Sequence, residues 1–206
     1  LGFIGHLSLA GEIRDLAVID VNVTALTYAG GLVGSNLGTI MNCHVTGSIH
    51  TGDGAGTLGI LVGANCRTIS NSSARGTITC GDGTTSVGGL TGYNYYGQIQ
   101  ECWSNVEVSC GAGSAYTGGL VGYNYFGLLA NSYARGSVTT GPDSMTVGAL
   151  VGYMNRTGTR FFDESNGARI VDCYAAGGVA AGEGSLEVGG LIGTNWRCPV
   201  VNSFWD

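Results

Sequence analysis

The segment Gly89-Leu90-Thr91-Gly92-Tyr93-Asn94-Tyr95-Tyr96-Gly97-Gln98-Ile99-Gln100-Glu101-Cys102-Trp103 is followed, thirty residues on, by Gly119-Leu120-Val121-Gly122-Tyr123-Asn124-Tyr125-Phe126-Gly127-Leu128-Leu129-Ala130-Asn131-Ser132-Tyr133. Both open on Gly-Leu-x-Gly and close on an aliphatic, polar, Cys/Ser, aromatic sequence. The opening recurs on either side as Gly2-Phe3-Ile4-Gly5, Gly31-Leu32-Val33-Gly34, Leu61-Val62-Gly63, Leu150-Val151-Gly152 and Gly190-Leu191-Ile192-Gly193. Anchored at Phe3, Leu32, Leu61, Leu90, Leu120, Leu150 and Leu191, the copies lie 29, 29, 29, 30, 30 and 41 residues apart. The long last interval holds an insertion over 156–169. The closing signature recurs as Ile40-Met41-Asn42-Cys43-His44, Ile69-Ser70-Asn71-Ser72-Ser73, Ile170-Val171-Asp172-Cys173-Tyr174 and Val200-Val201-Asn202-Ser203-Phe204. Two signals at a nearly fixed offset define an internal repeat.

One unit of 29–30 residues holds short aliphatic or β-branched stretches between Gly, Asn, Ser and Thr, with no capped amphipathic helix. Alone it cannot bury its apolar face; stacked on its neighbours at about 4.8 Å per strand it pairs every backbone and builds a continuous core. The expected fold is therefore all-β: a parallel β-helix (β-solenoid) of about seven coils, forming one repeat domain over 1–206. The handedness rule for parallel crossovers makes a right-handed coil the expectation, though the sequence alone does not fix it.

Composition agrees. Of 206 residues 39 are Gly and 2 are Pro; 11% are charged, 44% are hydrophobic, and all eight basic residues are Arg. Disordered chains combine low hydrophobicity with high charge, which this one does not. No run approaches the roughly 18 apolar residues of a membrane helix, so no membrane insertion is expected. A net charge of −6 offers no basic face to a phosphate backbone, so no nucleic acid is expected either.

On these motifs the chain resembles the GLUG-motif repeats of bacterial secreted and surface proteins. The resemblance spans nearly the whole chain, departing at Ser73 and at the insertion. It implies a β-solenoid at the cell surface or outside the cell, serving adhesion or surface architecture. The expected partners are copies of itself, flanking domains of a longer chain, or surface glycans, on the grounds of the chain ends and the tyrosine columns described below. Some larger proteins with such repeats carry a peptidase domain, but no His-Glu-x-x-His occurs here and that activity does not transfer.

In-register stacking turns repeated residues into columns. Asn36, Asn65, Asn94, Asn124 and Asn195 form one, interrupted by Met154, suited to a structural hydrogen-bonded ladder. Cys43, Cys102 and Cys173 alternate with Ser72, Ser132 and Ser203. Two coils apart means about 9.6 Å, beyond the roughly 7 Å limit of a disulfide. Cys80 and Cys110 fall in adjacent coils, two residues past Ile78 and Val108, at a spacing of about 5 Å that permits a disulfide; a pair of packed thiols is the other reading. Asp53, Asp82, Asp143 and Glu183 form a loose acidic column. One carboxylate per coil falls short of the six to eight oxygens of a calcium site, so solvated turns are expected. With no Cys-x-x-Cys or paired-His spacing, neither a metal nor a cofactor is expected.

The candidate binding surface is aromatic. Tyr93, Tyr123 and Tyr153 share one slot, and Tyr95 and Tyr125 lie two residues on. Alternation turns all five outward if Leu90 and Leu120 point in. Such rings suit stacking on sugars or on another chain, or stiffening the solenoid by stacking on each other. Phe161 and Phe162, in the charged insertion, add a candidate partner contact. Trp103, Tyr133, Tyr174 and Phe204 form a second column expected to pack at a corner. His6, His44 and His50 stand in no nucleophile motif, and the adjacent Asp163 and Glu164 would face opposite ways along a strand. The expectation is a non-enzymatic structural or adhesive scaffold, with a glycan-binding module as the alternative.

Both ends of the chain fall inside a motif. A solenoid coil left uncovered pairs with any matching edge, so the chain is expected to be part of a surface protein or an end-to-end assembling fibre subunit.

Overall fold

The computed structural model describes residues 1–156 and 168–206. Among them there is no helix. The chain winds through four parallel sheets in turn, leaving one strand in each sheet per coil. Sheet one stacks Ile4–Leu7, Val33–Asn36, Val62–Asn65, Thr91–Tyr95, Val121–Tyr125, Val151–Asn155 and Ile192–Trp196. Sheet two stacks Glu12–Arg14, Thr39–Met41, Thr68–Ser70, Gln98–Gln100, Leu128–Ala130, Arg169–Val171 and Val200–Val201. Sheet three begins with the longer strands Ala17–Thr24, His44–His50, Ser73–Thr79 and Trp103–Cys110. It then splits into short pairs such as Tyr133–Ala134 with Val138–Thr140. Sheet four has six rungs, Thr27–Gly30, Gly56–Gly59, Thr85–Gly88, Ala115–Gly118, Met145–Gly148 and Leu186–Gly189, against seven in sheets one and two. The seven anchors thus make six full circuits and a last open one.

The anchors are successive rungs. The N–H of Leu32 donates to Leu61 O at 3.1 Å, that of Leu61 to Leu90 O at 3.1 Å, and that of Leu90 to Leu120 O at 3.0 Å. The register is residue-for-residue: Val62, Thr91, Val121, Val151 and Ile192 are consecutive partners in sheet one. Ile40, Ile69, Ile99, Leu129 and Ile170 are consecutive in sheet two. These columns, aliphatic but for Thr91, face inward and are buried except at the last rung, where Ile192 is partly exposed, forming one core along the axis. Burial of each such side chain contributes roughly 1.5–3 kcal/mol.

Tight corners separate the sheets, and each is a column of left-handed residues. Between sheets two and three stand Asn42, Asn71, Glu101, Asn131, Asp172 and Asn202, with φ of 44–53°. Asn and Asp bear this region better than most residues. Ahead of sheet four the position is Gly54, Gly83, Gly113 and Gly184, with Asp143 in the same slot. The anchor glycines answer a different need. A Cβ on Gly122 would stand 2.6 Å from Val87 N and 2.7 Å from Gly92 O, so only a bare backbone passes there.

Candidate functional site

The inward-facing asparagines and the Cys/Ser column hold coils together. Asn36 Nδ2 donates to Asn65 Oδ1 at 2.7 Å, Asn65 to Asn94 at 2.8 Å, and Asn94 to Asn124 at 2.7 Å. Nδ2 of Asn94 and of Asn124 also donates to the carbonyl three residues on, Gly97 O and Gly127 O. Asn195 stands apart from this ladder: Met154 intervenes, and Asn195 instead closes its own turn onto Cys198. In the Cys/Ser column the backbone N–H of Cys43, Cys102 and Cys173 donates to Ser72, Ser132 and Ser203 Oγ of the next coil, at 3.0, 3.1 and 3.1 Å. Each thiol points to the carbonyl two residues before it, Met41, Gln100 or Val171. Burial pushes the Cys102 thiol up to about 12 and that of Cys173 to about 11, so both stay protonated and unreactive. The acidic column is likewise structural: Asp53 Oδ1 accepts from Asp82 N at 2.9 Å, and Asp82 Oδ1 from Ala112 N at 2.8 Å.

Cys80 and Cys110 are both buried free thiols in neighbouring coils, one residue beyond the Thr79–Ser109 pair. The hydrogen bond between them lowers Cys80 from its ordinary value and, together with burial, raises Cys110. Their ladder position continues outward as Thr51 and Thr140.

The tyrosine surface is a set of interlocked rings. Tyr93 and Tyr123 lie 5.0 Å apart between centroids, Tyr123 and Tyr153 5.1 Å, and Tyr95 and Tyr125 5.5 Å at an interplanar angle of 4°. The side chains do turn outward, since Asn94 and Asn124 between them point into the core. Tyr93, Tyr123 and Tyr153 are nonetheless half-buried by their neighbours. Desolvation raises all three phenols, Tyr93 most. Tyr96, Tyr116 and Phe126 join the cluster although the repeat does not single them out: Tyr96 stacks on Phe126 at 5.0 Å, and Tyr116 leans on Tyr123 and Tyr153 at 5.2 Å each. Phe161 and Phe162 lie outside the described residues.

The second aromatic column does not pack inside a corner. Trp103, Tyr133, Tyr174 and Phe204 are stacked nearly parallel, at 6.1, 4.9 and 5.5 Å, on the outer side of sheet three. Arg75 lies over Trp103 at 5.8 Å and Arg135 over Tyr133 at 5.0 Å. The reason is alternation: Ser104 and Ala134, the next residues, take the inward position.

Among the described residues no three His, Cys, Asp or Glu side chains converge as a metal site would require. What the columns do provide is a rigid rod with one flat aromatic flank. Fold and ladder interactions together are those of a structural repeat scaffold of the parallel β-solenoid class. The GLUG motif is present in it at residues 25–49 and 113–139. The first stretch runs from sheet four of the first coil through the Leu32 anchor; the second contains the Leu120 anchor and its closing signature. No curated protein matches the chain.

Proposed function

We propose that this chain is a non-enzymatic scaffold of an extracellular or cell surface, able to stack end to end with copies of itself. The observation that carries the reading is the pair of apolar edges. At one end Leu1, Phe3, Leu9, Ile19 and Leu26 are exposed; at the other Leu186, Val188, Val201, Phe204 and Trp205 are. Uncovered strand edges with apolar flanks take up a matching strand. Stacked in register, one copy would place Ile192 over Ile4 of the next, Val200 over Ile13, Trp205 over Val18 and Val188 over Ala29, extending the core columns. Negative-stain microscopy of the concentrated chain should show rods longer than one molecule. Val188→Lys with Val200→Lys, which puts charge into the seam, should shorten them to single units while circular dichroism stays unchanged. Uniform single-length rods from the unaltered chain at every concentration would overturn self-assembly.

A second reading, glycan binding by the tyrosine flank, is supported by one specific observation. The ring stack ends abruptly beside an open trough.

A further inference from the structure

The trough has a volume of about 470 Å³ and is lined by Tyr28, Ser35, Ala64, Cys66, Tyr93 and Tyr95. This lies within the range of about 300–1,000 Å³ typical of small-ligand sites. Its origin can be read from the repeat. Tyr93 is stacked on one side by Tyr123, but its ladder partners on the other side are Ala64 and, one coil further, Ser35. Tyr95 has Tyr125 on one face, whereas the equivalent residue of the preceding coil, one past the Asn65–Asn94 pair, is Cys66. The ring column therefore stops where the side chains become small.

The far wall completes the comparison. Tyr28 and Tyr116 occupy the same corner in different coils, both left-handed with φ of 48° and 58°. Tyr116 rests on Tyr123, seven residues on, and on Tyr153 of the following coil. The residues in those two places relative to Tyr28 are Ser35 and Ala64. The same cradle that is filled by two phenol rings at one end of the stack is thus empty of rings at the other. Tyr28 is left 53% exposed and Tyr95 42%.

None of the six lining residues carries a formal charge at neutral pH, so nothing there compensates a phosphate, a carboxylate or an ammonium group. What the walls offer is three phenol rings, with the Ser35 hydroxyl and the Cys66 thiol among the other lining groups. Ring faces suit the C–H face of a pyranose, and side-chain hydroxyls exchange hydrogen bonds with sugar hydroxyls. We propose that this trough is a subsite for two consecutive pyranose rings of a neutral glycan, which take the places the missing rings leave between Tyr28 and Tyr93–Tyr95. The proposal rests on the glycan-binding reading and gives it a location and a ligand class.

The test uses the whole chain with cellotetraose, mannotetraose and maltotetraose as probes, read by saturation-transfer NMR and calorimetry. Cys66→Tyr continues the Tyr95 column and fills the trough without removing a core side chain. It should weaken binding of the recognised tetrasaccharide at least tenfold, as should Tyr95→Ala. Trp103→Ala, on the opposite aromatic column, should leave binding unaltered. A tetrasaccharide bound equally by the chain and by Cys66→Tyr overturns the trough while sparing the glycan reading. No binding of any probe removes both. A Gly-Tyr-Gly peptide that binds where the sugars do not would also overturn the assignment, in favour of a protein partner.

Discussion

Incubation of the reduced chain with glutathione disulfide should join Cys80 to Cys110 and raise the thermal midpoint by roughly 10 °C. The two thiols are oxidised to the new bond as one glutathione disulfide is reduced to two glutathione thiols. The stacking distance of parallel strands, about 4.8 Å, lies inside the 4.4–6.8 Å window between Cα atoms that a disulfide requires. Cys80 N–H donates to Ser109 O at 2.8 Å and Gly111 N–H to Cys80 O at 3.1 Å, so the two backbones are already clamped. The hydrogen bond with Cys110 lowers Cys80 from its ordinary value, the direction that favours exchange. Closing a loop of about 30 residues removes enough unfolded-chain entropy to stabilise by about 3–4 kcal/mol. At about 2–4 °C per kcal/mol for a protein of this size, that is the stated shift. Cys43, Cys102 and Cys173 should remain alkylatable only after unfolding. Cys80→Ser should abolish the shift, and an oxidised chain that melts where the reduced one does would dispose of the bridge.

The second large effect concerns the asparagine ladder. Asn94→Ala should lower stability by about 3–5 kcal/mol, again roughly 10 °C, because one side chain serves three partners. Asn65 loses its acceptor, Asn124 Oδ1 its donor from Asn94, and Gly97 O its side-chain donor, all within a fully buried strip. Each buried group left unpaired costs about 1–3 kcal/mol. Asn195→Ala is the control: it opens a single partly exposed turn and should cost about 1 kcal/mol. Equal losses from the two variants, measured by denaturant unfolding, would show that the ladder adds nothing beyond the individual turns.

The columns were legible because a parallel ladder forces like residues into like places. Leu61 over Leu90 over Leu120 follows from spacing alone, as does the order of asparagines. The corners were not. Tyr28, Thr57, Ser86, Tyr116, Thr146 and Glu187 share one left-handed position, yet they have no chemistry in common and none is Gly. The demand there falls on the backbone, so side-chain identity carries no signal. The trough escaped notice for a related reason: its mark in the sequence is that tyrosine gives way to Ala64 and Ser35, and a pattern search looks for what is present. The outward face of the sheet-three stack follows only from the register, since alternation against the inward Ser104 and Ala134 sends these rings out.

The interior bonds are unevenly distributed along the rod. Between the Leu32 and Leu61 coils both an asparagine pair and a Cys–Ser pair reinforce the backbone ladder, and the same holds between Leu90 and Leu120. Between the Leu120 and Leu150 coils, among the described residues, neither does: Met154 follows Asn124, and Cys173 follows Ser132 without a bond from its N–H. Since every rung hydrogen bond points along the axis, tension applied to the two ends passes through each boundary in series. The rod is then as strong as the two boundaries that lack both pairs, the one beside the insertion and the first one, where Leu7 stands against Asn36.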